Sequence, residues 1–132
     1  MSNPLINGEI AEAAVALALL QKGKVVLHPH GNSQRYDLII DDNGQFHRIQ
    51  IKAGWLVNDK TIIRFAACSN NKGYAKRPYQ GQIDFFAVYC AELGTTYLIS
   101  IDEVPGNDCY LRLTPTKNNQ SSGVKWARDY QL

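Results

Sequence analysis

Asp37, Gln50 and Lys52 are the residues of this chain whose types and spacing could do chemistry. They fall within residues 36–52, where Asn43-Gly44 separates two runs of alternating apolar and polar residues, a strong signal for a two-residue hairpin turn. With Asn43 and Gly44 as the loop, Asp42 faces Gln45 and Asp37 lies across from Gln50. Lys52, two residues further on, projects from the same face of the sheet. The opposite face carries Tyr36, Leu38, Ile40, Ile49 and Ile51, an apolar set that belongs to the core. Asp37, Gln50 and Lys52 are thus expected together on the less apolar face, close enough to share a metal ion or a water. Hard divalent cations prefer oxygen, and the Asp37 carboxylate, the Gln50 amide oxygen and the main-chain carbonyl between Gln50 and Lys52 could supply three ligands. A lysine beside such a cation can orient or help deprotonate an attacking water and offset the charge of a phosphoryl-transfer transition state. This chemistry suits hydrolysis of a phosphodiester.

These groups need elements to hold them. Residues 3–22 are rich in alanine and leucine, with Ile6, Ile10, Ala13, Leu17 and Leu20 at helical spacing and Gly23 placed to end a helix. Glu12 shares a helix stripe with Val15, Ala16 and Leu19, so it either reaches out to solvent or faces something polar. Glu9, one turn earlier, competes with it for the role of a further carboxylate. Runs of β-branched and aromatic residues then predict strands over 24–28, 36–41, 46–53, 61–68, 84–90 and 96–100. Residues 69–82 read as a long polar, basic loop of the kind that usually has a function, with room for a short helix. The tail from residue 114 starts with a polar segment, 117–123, and ends in a predicted short helix over 124–130.

The plainer reading of each feature has its own weight. An isolated Asp37 or Lys52 would be a surface salt bridge, a turn cap or a solvated lysine. His28 and His30 alternate at a strand end, but Cys68, Cys90 and Cys109 are scattered singly, and no pair has zinc-ligand spacing. The cysteines at the ends of apolar strands read as small core residues. Lys72, Tyr74, Lys76, Arg77 and Tyr79, with Asn70 and Asn71, form a candidate DNA-contact patch, the cations for phosphates and the amides for base edges. Asn118, Asn119, Gln120, Lys125 and Arg128, beside Lys117, form a second patch, and Arg35 is a further candidate. Trp126 and Tyr130 read as packing residues of the last helix.

Composition bounds the rest. With 132 residues, 45% hydrophobic and 20% charged, the chain has the profile of one ordinary globular domain spanning residues 1–132. At this length a core forms without a disulfide scaffold, and three cysteines without CxxC spacing fit reduced thiols in the cytoplasm. The longest apolar run, residues 13–20, is too short for a membrane helix, and the first eight residues lack the basic start of a targeting signal. Fourteen basic against twelve acidic residues leave a net charge of +2, too small to announce a nucleic-acid binder by itself.

Taken in order, these residues resemble the PD-(D/E)xK nuclease superfamily, in which a helix carboxylate, a hairpin aspartate and an acid-x-lysine strand form a Mg²⁺ site. The resemblance is nearest to a small Gln-x-Lys branch that includes homing endonucleases of cyanobacterial group I introns. Gly8-Glu9-Ile10-Ala11-Glu12 is similar to that branch's Gly-x-x-Ala-Glu helix start, Tyr36-Asp37-Leu38-Ile39 to its Tyr-Asp-Leu strand, and Ile49-Gln50-Ile51-Lys52 to its Ile-Gln-Val-Lys strand. Ile83 to Ala87 is similar to its Ile-Asp-Phe-Phe-Ala strand. The sequence lacks an acid at Gln50, as that branch does, and Ser33-Gln34-Arg35 contains no Pro-Asp pair.

The resemblance implies an α/β, restriction-endonuclease-like core, its N-terminal helix packed on a mixed, mainly antiparallel central sheet, with short strands and a helix near the C-terminus. It implies a Mg²⁺-dependent endodeoxyribonuclease, with Mn²⁺ able to substitute, acting on double-stranded DNA. On this match Glu12 rather than Glu9 takes the helix carboxylate's place. Glu12 and Asp37 hold metal, Gln50 assists through its amide oxygen, and Lys52 positions the water. Two-strand cleavage calls for a homodimer or homotetramer. Two other functions fit the same residues: a catalytically weak or inactive DNA-binding module of this fold, and a structure-specific nuclease that cuts Holliday-type junctions.

Overall fold

The computed structural model describes residues 3–69, 76–115, 118 and 123–132. It opens with α1 (Pro4–Gln21), capped by Asn3, whose side chain accepts the Leu5 N–H at 3.0 Å. Gly23, with φ +77°, turns the chain out of the helix as its position in the sequence predicts. Among the described residues nine strands follow: β1 (Val25–Leu27), β2 (Leu38–Asp42), β3 (Gln45–Val57), β4 (Ile62–Ala66), β5 (Cys68–Ser69), β6 (Arg77–Pro78), β7 (Phe85–Cys90), β8 (Thr95–Ser100) and β9 (Asp108–Arg112).

β3 is the axis of the fold. Its first half pairs antiparallel with β2, its middle pairs parallel with β7, and its last residues pair antiparallel with β4. β1 extends the β2 edge, β9 extends β4, and β8 lies beside β7. The other pairings between the described strands are antiparallel, so the sheet is mixed and mainly antiparallel. The parallel β3–β7 pair requires a crossover, and β4 with the small β5–β6 hairpin lies on that path. Part of the predicted long loop is therefore a two-stranded hairpin, with Cys68 opposite Pro78 and Ser69 opposite Arg77.

Two cores flank the sheet. On one face Leu38, Ile40, Ile49, Ile51 and Ala87 pack against Ala11, Val15 and Leu19 of α1. On the other, Phe86, Val88, Tyr97 and Ile99 join Ile63, Phe65, Cys109, Leu111 and Tyr79. Ile6, Ile10, Leu17 and Leu20, which mark the helix by their spacing, are each about half exposed (47% to 57%), and the buried stripe is Ala11-Val15-Leu19, of which Val15 and Leu19 belong to the apolar stripe read beside Glu12. Ala11 has only a methyl group, so the helix can lie close to β3.

Further corrections concern the C-terminal third. The short helix expected over 124–130 is a single 3₁₀ turn, Ala127–Asp129, and another such turn is Ile101–Glu103. β9 is a short strand near the C-terminus of the kind expected, in a stretch for which the sequence predicts no bounds. All three cysteines are free and buried, and burial pushes the Cys109 thiol up to about 11, consistent with inert packing residues. No helix among the described residues is long and apolar enough to cross a membrane.

Gly54 marks the point where β3 leaves β7 for β4, and the chains approach closely there. A Cβ at this position would lie 2.9 Å from both Ile63 Cγ2 and Val88 Cγ1. Both neighbours are fully buried and β-branched, so neither can swing aside. Gly54→Ala is therefore expected to lower stability by about 1–3 kcal/mol in urea unfolding, and an unchanged midpoint would show that the strand crossing has slack.

Candidate active site

The hairpin forms with the expected register. Asn43 (φ 54°) and Gly44 (φ 91°) are both left-handed, as a type I′ turn requires, and Gly44 N–H donates to Asp41 Oδ1 at 2.8 Å. Pairing runs from Asp42↔Gln45 to Leu38↔Ile49 and then stops. Asp37 does not pair with Gln50 as the register alone suggests. Its N–H donates to the Ile49 carbonyl at 2.8 Å, and its carboxylate Oδ2 accepts the Ile51 N–H at 2.8 Å. A side chain thus replaces the next rung of the ladder, and the aspartate is anchored on the main chain between Gln50 and Lys52.

Gln50 and Lys52 do share a face, but that face holds the second core. They lie opposite Phe86 and Val88 of β7, and both are half-buried. Lys52 Nζ donates to the Cys68 carbonyl at 3.3 Å and lies 5.0 Å from the centre of the Tyr79 ring. Its charge acts on Asp37 and favours the carboxylate form. The stronger influence on Asp37 is burial, and the net result is a carboxyl held above the usual aspartate range.

Glu12 reaches the same aspartate from the helix. Glu12, His28, Asn32, Gln34, Tyr36 and Asp37 line one cleft of about 350 Å³. Burial, the Asp37 charge and the Glu9 charge all push the Glu12 carboxyl above its usual range, and His28 opposes them. A carboxyl whose proton affinity is raised by burial and by an acidic neighbour is poised to exchange its proton for a cation. Glu9 acts on this cleft through its charge and does not line it, so the helix carboxylate beside Asp37 is Glu12. His28 was weighed from sequence only as a zinc ligand. The signal for its place is the β1–β2 ladder, in which Leu27 pairs with Ile39. Carried two residues further, that register sets His28 and Pro29 beside Leu38 and Asp37.

The profile of the PD-(D/E)XK endonuclease family matches residues 3–132, nearly the whole chain. The chain belongs to this family. Among solved structures, a bacterial homing endonuclease, I-Ssp6803I, superposes with a TM-score of 0.79 at 24% identity, covering 98% of this chain and 89% of that one. This likeness establishes the restriction-endonuclease-like fold. Among curated protein sequences none matches.

PD-(D/E)XK endonucleases generally use divalent metal ions, and the donors here fit a hard cation. Among the described residues no three His, Cys, Asp or Glu side chains are placed to hold one metal ion together, those of this cleft included. Neutral oxygens must therefore complete the set. Glu12 and the second oxygen of Asp37 offer charge, while the Ile51 carbonyl and the Gln50 amide offer neutral oxygen. The Gln50 amide nitrogen donates weakly to the Ile51 carbonyl at 3.4 Å. A half-turn of that amide would present its oxygen and free the carbonyl together.

The candidate DNA contacts of this endonuclease are not all placed alike. Lys76 and Arg77 are exposed at the β5–β6 hairpin, next to Lys52's carbonyl partner. Arg128 is exposed, with its guanidinium 4.9 Å over Trp126, and Lys125 is half-buried. The Lys125 carbonyl accepts the Arg112 N–H, so Lys125 runs beside the β9 edge of the sheet, and Asn118 is exposed. Asn70, Asn71, Lys72, Tyr74, Asn119 and Gln120 lie outside the described residues. Arg35 is engaged within the chain, donating to Ser69 Oγ at 3.0 Å and to the Pro78 carbonyl at 3.1 Å.

Proposed function

We propose that this endonuclease is a site-specific, intron-homing enzyme of one catalytic domain that hydrolyses phosphodiester bonds of double-stranded DNA with Mg²⁺. The observation that carries the reading is the Asp37 carboxylate, anchored on the Ile51 N–H within reach of Glu12 on one side and Lys52 on the other. Glu12 and Asp37 hold the cation, and Gln50 contributes its amide oxygen. A divalent cation bound there supplies positive charge to the phosphate oxygens and lowers the pKa of water. Lys52 donates from its ammonium to the water or to a phosphate oxygen, fixing the line of attack on phosphorus. The products expected are a 5′-phosphate and a 3′-hydroxyl.

Asn70, Asn71, Lys72, Tyr74, Lys76, Arg77, Asn118, Asn119, Gln120, Lys125 and Arg128 are the residues assigned to DNA contact. The homing reading is supported by the likeness over nearly the full length of both chains to a protein named as a homing endonuclease. One site per chain cuts one strand, so the working form is a homodimer or homotetramer in the cytoplasm.

The test is cleavage of intron-insertion DNA, generic plasmid and a four-way junction, each with Mg²⁺, Mn²⁺ or EDTA. Metal-dependent cutting confined to the insertion site is the expected result. Cutting of the junction regardless of sequence would make the protein a structure-specific nuclease. Binding without cutting in either metal would make it a DNA-binding module, the reading favoured by the neutral Gln50 in place of an acid.

A further inference from the structure

Tyr79 is almost fully buried, at 4% exposure, and its ring packs edge-on against Phe86 with centroids 5.5 Å apart. Two cations face this one ring: the Arg35 guanidinium at 4.0 Å and the Lys52 ammonium at 5.0 Å. Packing satisfies an aromatic side chain with apolar neighbours alone, so a core does not require this arrangement. Arg35 is also laced to both strands of the hairpin, through Ser69 Oγ and the carbonyls of Arg77 and Pro78. The Cys68 carbonyl of the same hairpin accepts from Lys52 at 3.3 Å. Arg35 stands two residues before Asp37, and Lys52 stands one residue after Ile51, whose N–H anchors Asp37. The contacts close a ring from Arg35 through the hairpin to Lys52 and back to Asp37.

A lysine ammonium sits on a flexible four-carbon stem and samples many positions unless something holds it. One carbonyl at 3.3 Å fixes a single direction. The face of an aromatic ring adds a second, attractive for a cation and indifferent to water. We propose that Tyr79 is a positioning residue: with the Cys68 carbonyl it holds the Lys52 ammonium beside Asp37, and Arg35 fixes Tyr79 by stacking on it. The inference rests on the reading of Lys52 as the group that serves the attacking water.

The experiment measures single-turnover cleavage and DNA affinity in Mg²⁺ for wild type, Tyr79→Phe, Tyr79→Leu, Arg35→Met, Lys52→Ala and the Tyr79→Leu/Lys52→Ala double variant. In parallel, NMR of the metal-free proteins follows the Lys52 ε-methylene signal, identified by its absence in Lys52→Ala. Tyr79→Phe, which keeps the ring, is expected to cut within about threefold of wild type, and Tyr79→Leu to cut about tenfold more slowly at unchanged affinity. The double variant is expected to match Lys52→Ala alone, because Tyr79 acts through Lys52. The Lys52 signal, moved upfield by the ring, should return to its ordinary position in Tyr79→Leu. If Tyr79→Leu does not fold, Arg35→Met carries the test, since it removes the stack and leaves the buried ring. Multiplicative losses in the double variant, or a Lys52 signal unmoved by Tyr79→Leu and by Arg35→Met, would overturn the proposal. Weaker binding with a shallower salt dependence and an unchanged rate in Arg35→Met would make Arg35 a DNA contact and refute its part. A wild type that binds but does not cut would instead refute the catalytic reading, while the NMR arm still decides whether Tyr79 places the ammonium.

Discussion

Lys52→Ala is expected to reduce single-turnover cleavage by about a thousandfold or more while DNA affinity stays within about threefold, because a positioned donor acting on the transition state contributes on this scale. The split follows from where the side chain lies. Lys52 projects from the middle of β3, opposite Val88; among the described residues its ammonium meets the Cys68 carbonyl and the Tyr79 ring, and its charge acts on Asp37. A cation placed there touches at most the reacting phosphate, whereas the exposed Lys76 and Arg77 can meet the flanking backbone. Loss of Lys76 or Arg77 should therefore weaken binding and flatten its salt dependence by about one ion each, with little change in the rate at saturating protein. Lys52→Arg should recover little, since a planar fork cannot occupy the site of a compact ammonium held by one carbonyl and one ring. Equal falls in rate and affinity for Lys52→Ala would mean that Lys52 binds DNA and does not serve the water.

How much of this was legible in the sequence differs by element, and the reasons are physical. The Asn43-Gly44 turn dictates its own geometry, because both residues must adopt positive φ, so the register from Asp42 to Leu38 followed from two residues. The departure at Asp37 did not follow. Its carboxylate bonds to the Ile51 N–H, and hairpin arithmetic counts main-chain rungs only. The helix was clear in extent, but α1 is apolar on nearly every side. Periodicity then cannot select the packed stripe, and the small Ala11 decides it by permitting close approach. β9 carries an alternation that was readable, with Cys109 and Leu111 buried and Tyr110 exposed. Its polar residues hid a strand whose partner, β4, is more than forty positions away from it in register. The Lys52 face was the hardest to foresee. What covers it arrives through the crossover between β3 and β7, and no local pattern around Lys52 encodes Tyr79 or the β5–β6 hairpin.

Asp37→Asn is expected to abolish metal-dependent cutting and, without metal, to make the protein more stable at neutral pH. Asparagine keeps an oxygen for the Ile51 N–H and loses the charge that a cation needs. The stability argument turns on the direction of the shift: burial holds the Asp37 carboxyl above its ordinary value of 3.8, although the Ile51 N–H and Lys52 both work the other way. A group whose folded pKa exceeds its unfolded pKa binds more protons in the folded state between the two values. Folding stability therefore falls as pH rises through that window, and the deficit persists at neutral pH. Glu12, raised by burial and by Asp37 itself, adds to the same deficit, and neutralising Asp37 relieves part of both. The metal-free variant should melt about 2–5 °C above wild type at neutral pH, with the difference shrinking toward zero below about pH 3, where an aspartate is protonated in either state. Added Mg²⁺ should raise the melting temperature of wild type and leave the variant unmoved, because a ligand stabilises only the state that binds it. A metal-free variant that melts below wild type at neutral pH would mean that the anchored carboxylate supports the fold. The cleft would then be a structural joint, and the case for Asp37 as a metal ligand would lose the charge strain that a bound cation is expected to relieve.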